Sequence, residues 1–286
     1  MMGKKKDLSE ETTLVTPELL DQIPDFMKNE EDLGIELLKE YVRPPFIKII
    51  QSQASKDLKD VFNEGDVISS PSNSIIAEMP CNDKGRPLDG ATAVFKVVPL
   101  LFWPEWATWN SIKLKGIEPA IKYRTLDPND PIVAKARSSK LRSEPHPNYL
   151  DSSEYNVRHV EHFNFLVVLK DHALEKTPMV ISFSRGGFGD GCKFSGLLKM
   201  RNAPIYGCIF EAVVSLRPNP AGDWYGISMR NPIEGTGWIT DKEEYEAMKA
   251  LHDEYEKLRS DAKIQASYEP EQAEKDPATT PANEEM

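Results

Sequence analysis

Residues 162–231 read HFNFLVVLKDHALEKTPMVISFSRGGFGDGCKFSGLLKMRNAPIYGCIFEAVVSLRPNPAGDWYGISMRN, and the order of patterns along this stretch decides the fold. HFNFLVVLKD (162–171) and PMVISFS (178–184) are β-branched and aromatic runs of strand length, and they read as a pair. GCKFSGLLKM (191–200) follows a glycine-rich turn and predicts a short helix. PIYGCIFEAVVSLRP (204–218) and DWYGISMRN (223–231) then predict a hairpin across NPAG. Strand, strand, helix, strand, strand is the order of the second part of an OB-type barrel, in which one helix sits between the third and fourth strands.

Upstream, FIKIIQ (46–51), DVISS (66–70), SIIAEM (74–79) and AVFKVVPLLFW (93–103) are strand-like runs that would complete the barrel. Their separators NEG, PSN and NDKGRPLDG carry the Gly, Pro, Asn and Asp of tight turns. The expected fold is therefore mainly β (α+β): an OB-type barrel with β extensions over 41–240, one inserted short helix, a C-terminal helix and a disordered acidic tail. Residues 126–155, LDPNDPIVAKARSSKLRSEPHPNYLDSSEY, are rich in Pro, Ser and charge and predict a long loop inserted in that core.

Two acidic segments flank the core. Residues 1–40 form an acidic arm in which Leu19, Leu20, Ile23, Phe26 and Met27 approach helical spacing, broken by Pro24. Thr240 and Glu243 have the spacing of a capping box, and Tyr245, Met248, Leu251, Tyr255 and Leu258 share one face, so 241–266 predicts an amphipathic helix. Residues 267–286 are low in complexity, proline-bearing and acidic, the composition of a disordered tail.

The 286 residues are 40% hydrophobic, enough for one sizeable core or two small ones. The net charge of −11 argues at first against phosphate binding, but −6 lies in 1–40 and −8 in 241–286, leaving +3 on residues 41–240. Cys81, Cys192 and Cys208 are odd in number and lack CxxC spacing, which suits buried thiols in a reducing cytoplasm. The N-terminus MMGKKKDLSEET is charged, and no apolar stretch approaches the roughly 20 residues of a membrane span, so a cytoplasmic protein without a membrane partner is expected.

A binder of single-stranded nucleic acid needs rings for the bases beside cations for the phosphates. SFSRGGFGDGCKFSGLLKMR (182–201) supplies Arg185, Phe188, Lys193, Phe194, Lys199 and Arg201, although its phenylalanines also suit a core. PLLFWPEWATWN (99–110) spaces Trp103, Trp106 and Trp109 by three, so they do not share one strand face. Trp106 or Trp109 is expected to be exposed as a contact; the alternative is that these rings plug the barrel. Lys113, Lys115 and Tyr206 complete the expected nucleic-acid-binding set.

Enzymatic patterns are absent: the glycines of 182–201 match neither GxxxxGK[ST] nor GxGxxG, and there is no GxSxG. No catalytic residue and no cofactor is assigned. His159 and His162 form HxxH, with Cys192 or Cys208 as conceivable partners, but no second close ligand pair completes a metal site. Asp127, Asp130, Asp151 and Glu154 would suit a metal-dependent nuclease, yet they lie in the polar insertion and read as solvated.

The glycine-rich turn, the Lys- and Leu-bearing helix, PIYGCIFEAVVSLRP and DWYGISM, with RPPFIKIIQ, FNEGDVI and VVPLLFW upstream, resemble tailed-phage single-stranded DNA-binding proteins over residues 41–240. The resemblance implies an OB-type barrel, a basic and aromatic groove, and an acidic C-terminal tail that contacts replication and recombination proteins. It transfers no set of binding residues. The function expected is sequence-tolerant single-stranded DNA binding in phage replication or recombination, in the host cytoplasm, with the tail as competitor for the groove. DNA against RNA, and a homo-oligomer, stay open; the alternative is a phage structural or assembly protein that binds no nucleic acid.

Overall fold

The computed structural model describes residues 44–260 apart from Gly116, Asp151, Glu175, Lys176, Pro220 and Ala221. Its strands are β1 (Phe46–Ile49), β2 (Val67–Ser70), β3 (Ile75–Ala77), β4 (Thr92–Trp109), β5 (Ile121–Thr125), β6 (Ser143–Glu144), β7 (Val157–Lys170), β8 (Met179–Ser184), β9 (Phe210–Arg217) and β10 (Trp224–Arg230). The helices are α1 (Lys56–Lys59), α2 (Pro131–Arg137), α3 (Phe188–Arg201) and α4 (Lys242–Ser260). All strands join one sheet in the order β10-β9-β4-β7-β8-β1-β2-β3, with β5 added to β4 and β6 to β7. Pairing is antiparallel except between β1 and β8, which run parallel where Phe46 meets Val180. The expected pairs β7–β8 and β9–β10 form, with α3 between them.

Among the described residues the strand ladder is open, so the closed OB-type barrel is not what its hydrogen bonds build. A side chain stands in for the missing strand partner. Gln51 donates from Nε2 to the Tyr225 carbonyl (2.8 Å) and accepts at Oε1 from the Tyr225 N–H (2.9 Å), so its carboxamide pairs with edge strand β10 as a peptide would. Gly65, at φ +89°, lets the chain pass beneath: a Cβ there would lie 2.7 Å from Met79 and 2.9 Å from Tyr225.

β4 is the spine. It pairs with β9 over 92–97, with β7 over 96–109 and with β5 over 106–109. Between Val97 and Trp106 its second edge has no strand partner among the described residues, and there Pro99 and Pro104 cost no ladder bond. A bulge between Pro99 and Leu101 turns the Leu100 carbonyl out of register, and His252 of α4 donates from Nδ1 to it (2.7 Å).

The two faces are buried by different helices. Because the sheet's ends approach on the side that holds α3, that side is concave; Phe95, Val97, Phe165, Phe183 and Phe210 enclose Phe194 and Leu198 of the helix there. On the convex side Leu101, Trp103, Leu166 and Val168 are covered by Met248, Leu251, Tyr255 and Leu258 of α4, the stripe read from the sequence. Its cap lies one residue later than the Thr240–Glu243 spacing suggested: Asp241 Oδ1 accepts from the Glu244 N–H (2.8 Å). The arm 1–40, the predicted helical residues 261–266 and the tail 267–286 lie outside the described residues.

The 126–155 segment corrects the expectation of a plain loop. Asp130 caps α2 by accepting from the Ile132 N–H (2.9 Å), Pro131 takes the first turn, and Ile132, Val133 and Ala136 bury Trp106. β6 pairs with β7, and His146 bonds Glu118 (3.0 Å). The proline and aspartate that look like breakers are the helix start. The expectation of three buried thiols holds for Cys208 alone, since Cys81 is half-buried and Cys192 exposed.

Gln51→Ala leaves the partly buried Tyr225 N–H and carbonyl without their partner, which should cost about 1–3 kcal/mol in urea denaturation. An unchanged midpoint would show that the amide clamp does not hold the sheet's edge.

Candidate nucleic-acid interface

The glycine-rich turn at 185–187 delivers the chain from β8 into α3, and its geometry makes a cleft. Arg185 stands there at φ 49°, a left-handed conformation that costs a non-glycine residue about 1–2 kcal/mol. Gly187, the residue before the helix, has no side chain to cap the first N–H groups. Phe188 opens the helix, half-buried, its ring centroid 4.6 Å from that of Phe163 on β7.

These residues meet α2 and β7 around a cavity of about 220 Å³, lined by Arg137, Arg142, His159, Glu161, Arg185 and Phe188 among others. Three arginines against one glutamate leave the lining at +2. Glu161 is already engaged, since Arg137 reaches it with Nη2 at 2.7 Å and Nε at 3.2 Å, and that ion pair holds the Arg137 guanidinium above its usual range. Arg142 is fixed by its backbone, whose carbonyl accepts from the His159 N–H (2.8 Å). His159 in turn bonds Thr108 Oγ1 (2.9 Å) and Glu144 Oε2 (3.2 Å), so it braces the wall. Lys135 is the main reason that the Glu144 carboxyl sits below its usual range. The arrangement suits an anion beside an aromatic ring.

Of the expected contacts the structure brings Arg185 and Phe188 together and separates the others. Trp106 and Trp109 are 1% and 4% exposed and Phe194 is fully buried, so none of the three presents a ring to a ligand. The expectation of an exposed tryptophan fails because β4 runs on through all three. Spacing of three in a strand then alternates faces, placing Trp106 under α2 and Trp109 on the opposite side. Phe194 is the core residue of α3. Lys113 and Lys115 are exposed on the turn after β4, whereas Lys193 and Lys199 are exposed on the outer side of α3. Arg201 ends that 14-residue helix, about 20 Å from Arg185. Tyr206 lies under α4, its ring 4.8 Å from that of His252 and 5.5 Å from that of Tyr245. Arg137 and Arg142 were missed because they lie in the stretch that reads as a solvated insertion; the clustered bases of KARSSKLR were the available signal.

Beneath the cleft β7 carries a buried polar chain on its other face. Trp109 Nε1 donates to His162 Nε2 (3.3 Å), and His162 Nδ1 lies 3.3 Å from Ser182 Oγ. Arg124 Nε (2.6 Å) and Asn164 Nδ2 (3.1 Å) both donate to the buried Glu105 carboxylate. Burial first, then the positive charges of Arg185 and Arg124, lower the His162 pKa to about 3. The imidazole is thus neutral, a structural hydrogen-bond link. Among the described residues no group of three or more His, Cys, Asp or Glu is placed to hold a metal ion, and no helix is long and apolar enough to cross a membrane.

The family model of the Pam3 phage gp34-like proteins matches residues 12–260. The chain belongs to that family. As a gp34-like chain it is a phage protein, and the match reaches from the acidic arm to the end of α4. No curated protein and no solved structure matches it.

His162 gives this gp34-like fold an acid-side signature. The unfolded chain protonates His162 near 6.5 and the folded one near 3, so stability is intact above pH 6.5 and falls as pH drops through that window. His162→Gln should remove this slope and gain about 2 kcal/mol relative to the parent between pH 7 and pH 5, read by urea denaturation at each pH. Parallel pH curves would mean that His162 is not held neutral.

Proposed function

We propose that this phage protein is a non-enzymatic binder of single-stranded DNA, active in replication or recombination, whose strand crosses the cleft at the N-terminal end of α3. Arg137, Arg142 and Arg185 hold phosphates there, and Phe188 offers its ring to one base. The observation that carries the reading is the convergence of three arginines on a half-buried phenylalanine, with one of the three arginines held in a strained backbone. With a single ring available, stacking contributes roughly 1–3 kcal/mol and phosphate contacts must supply most of the affinity. Such contacts do not read sequence. The acidic tail 267–286 competes for the same cations at high effective concentration, and once displaced it recruits replication and recombination proteins.

The second reading is a phage structural or assembly protein that binds no nucleic acid. It draws on Met200, Ile233 and Trp238, large apolar side chains exposed at the other end of α3. It predicts a nucleic-acid-free preparation that forms large regular assemblies.

Fluorescence anisotropy of labelled oligo(dT), titrated with salt, tests the DNA reading. Arg185→Gly relieves the left-handed strain, so the variant should be at least as stable as the parent while binding roughly tenfold more weakly. Its log–log salt slope should shrink by about 0.7 for the lost phosphate contact. Removal of residues 269–286 should tighten binding. No binding at low salt by that shortened chain, or undiminished binding by Arg185→Gly, contradicts the proposal.

A further inference from the structure

We propose a second binding surface at the opposite end of α3, a groove that docks a segment of a partner protein in which a large apolar side chain stands beside a carboxylate. The groove has a volume of about 410 Å³ and runs between Leu197, Met200 and Arg201 of the helix and Asn231, Pro232 and Thr236 of the loop after β10. Its floor is charged. The Arg201 guanidinium lies between the rings of Phe210 and Trp238, 5.3 Å and 4.7 Å from their centroids, and donates from Nη2 to Asn231 Oδ1 (2.8 Å). Among the described residues Arg201 makes no ion pair. A half-buried guanidinium locked in this way is a rigid, unneutralised fork of donors, the geometry that a carboxylate takes with two parallel hydrogen bonds.

The loop is shaped around that cation. Gly237, at φ +72°, leaves room that any side chain would fill, since a Cβ there would stand 2.5 Å from Arg201 Nη2. The rim is apolar: Met200 is 82% exposed, Ile233 73% and Trp238 38%. Met200 lines the groove, Trp238 stacks on Arg201 at its edge and Ile233 follows Pro232 in the loop, so three large exposed apolar side chains gather at one end of the helix.

The rim also selects the occupant. A nucleic-acid strand would require a row of cations, yet the groove offers Arg201 with Lys199 nearby, and the exposed Glu234 of the same loop repels a polyanion. A peptide satisfies both halves: its apolar side chain covers Met200, Ile233 and Trp238, and its carboxylate pairs with Arg201. The groove lies about 20 Å along α3 from the arginine cleft, so it stands or falls independently of the DNA reading.

Selection from a random peptide library on the immobilised full-length chain tests this surface. The enriched sequences should place Phe, Trp, Leu, Ile or Met within two positions of Asp or Glu. Binding of the consensus peptide should weaken roughly tenfold or more in Arg201→Gln and be reduced in Trp238→Ala. Met200→Ser, at a position too exposed to affect folding, should weaken it as well, and oligo(dT) binding should be unchanged in all three. No enrichment, a consensus without an acidic residue, or a consensus peptide indifferent to the Arg201 and Met200 substitutions overturns the proposal. Loss of oligo(dT) binding in Arg201→Gln comparable to that in Arg185→Gly also overturns it, by assigning the groove to DNA.

Discussion

Phe194 is fully buried at the middle of α3, its ring 4.6 Å from Phe165 of β7 and 5.1 Å from Phe210 of β9. Rings at such distances gain about 0.5–1.5 kcal/mol beyond the area they bury, and removing one from a packed core costs about 3–5 kcal/mol. The cluster ties a helix to strands that flank it on both sides in the sequence. It therefore fixes the helix across the concave face, with its two ends on opposite rims. Arg185 and Phe188 stand at one end and Arg201 at the other because Phe194 lies between them.

An open sheet can enclose such a helix only if its edges are held. β10 would otherwise present unpaired backbone groups to any passing strand. The Gln51 amide occupies Tyr225, and Arg217 bridges from the Asp190 carboxylate to the Ile227 carbonyl (3.3 Å), so the edge is protected by side chains. On the outer face, α4 covers the bulge of β4 and supplies His252 to its stray carbonyl. The open edge of β10 and the Pro99–Leu101 bulge of β4 are thus each met by a polar side chain from a distant segment. Such long-range contacts hold together a sheet that its own ladder leaves open.

The local elements were legible in the sequence because their periods are strong. Runs of β-branched and aromatic residues marked β7 to β10, and Tyr245, Met248, Leu251, Tyr255 and Leu258 gave the stripe of α4. Closure was not legible: whether β10 meets another strand or the Gln51 side chain depends on a contact 174 residues long. The insertion was misjudged because α2 is only seven residues long, with its capping Asp130 and Pro131 resembling loop punctuation. Three tryptophans spaced by three suggested an exposed ring, yet a strand that continues through them buries Trp106 under α2 on one face, and Trp103 under α4 and Trp109 beside β5 and β7 on the other. Half of the site was visible in SRGGF. Arg137 and Arg142 became part of it only once α2 folded back over β7.

The central claim is that a single strand lies in the cleft where α3 begins, against the one aromatic side chain that the cleft presents. Zero-length ultraviolet cross-linking of oligo(dT) to the full-length chain, followed by peptide mass spectrometry, locates the contacted residue directly. The account predicts adducts on the peptide containing Phe188. Adducts confined to Tyr123 or Trp238, with none on that peptide, would contradict it.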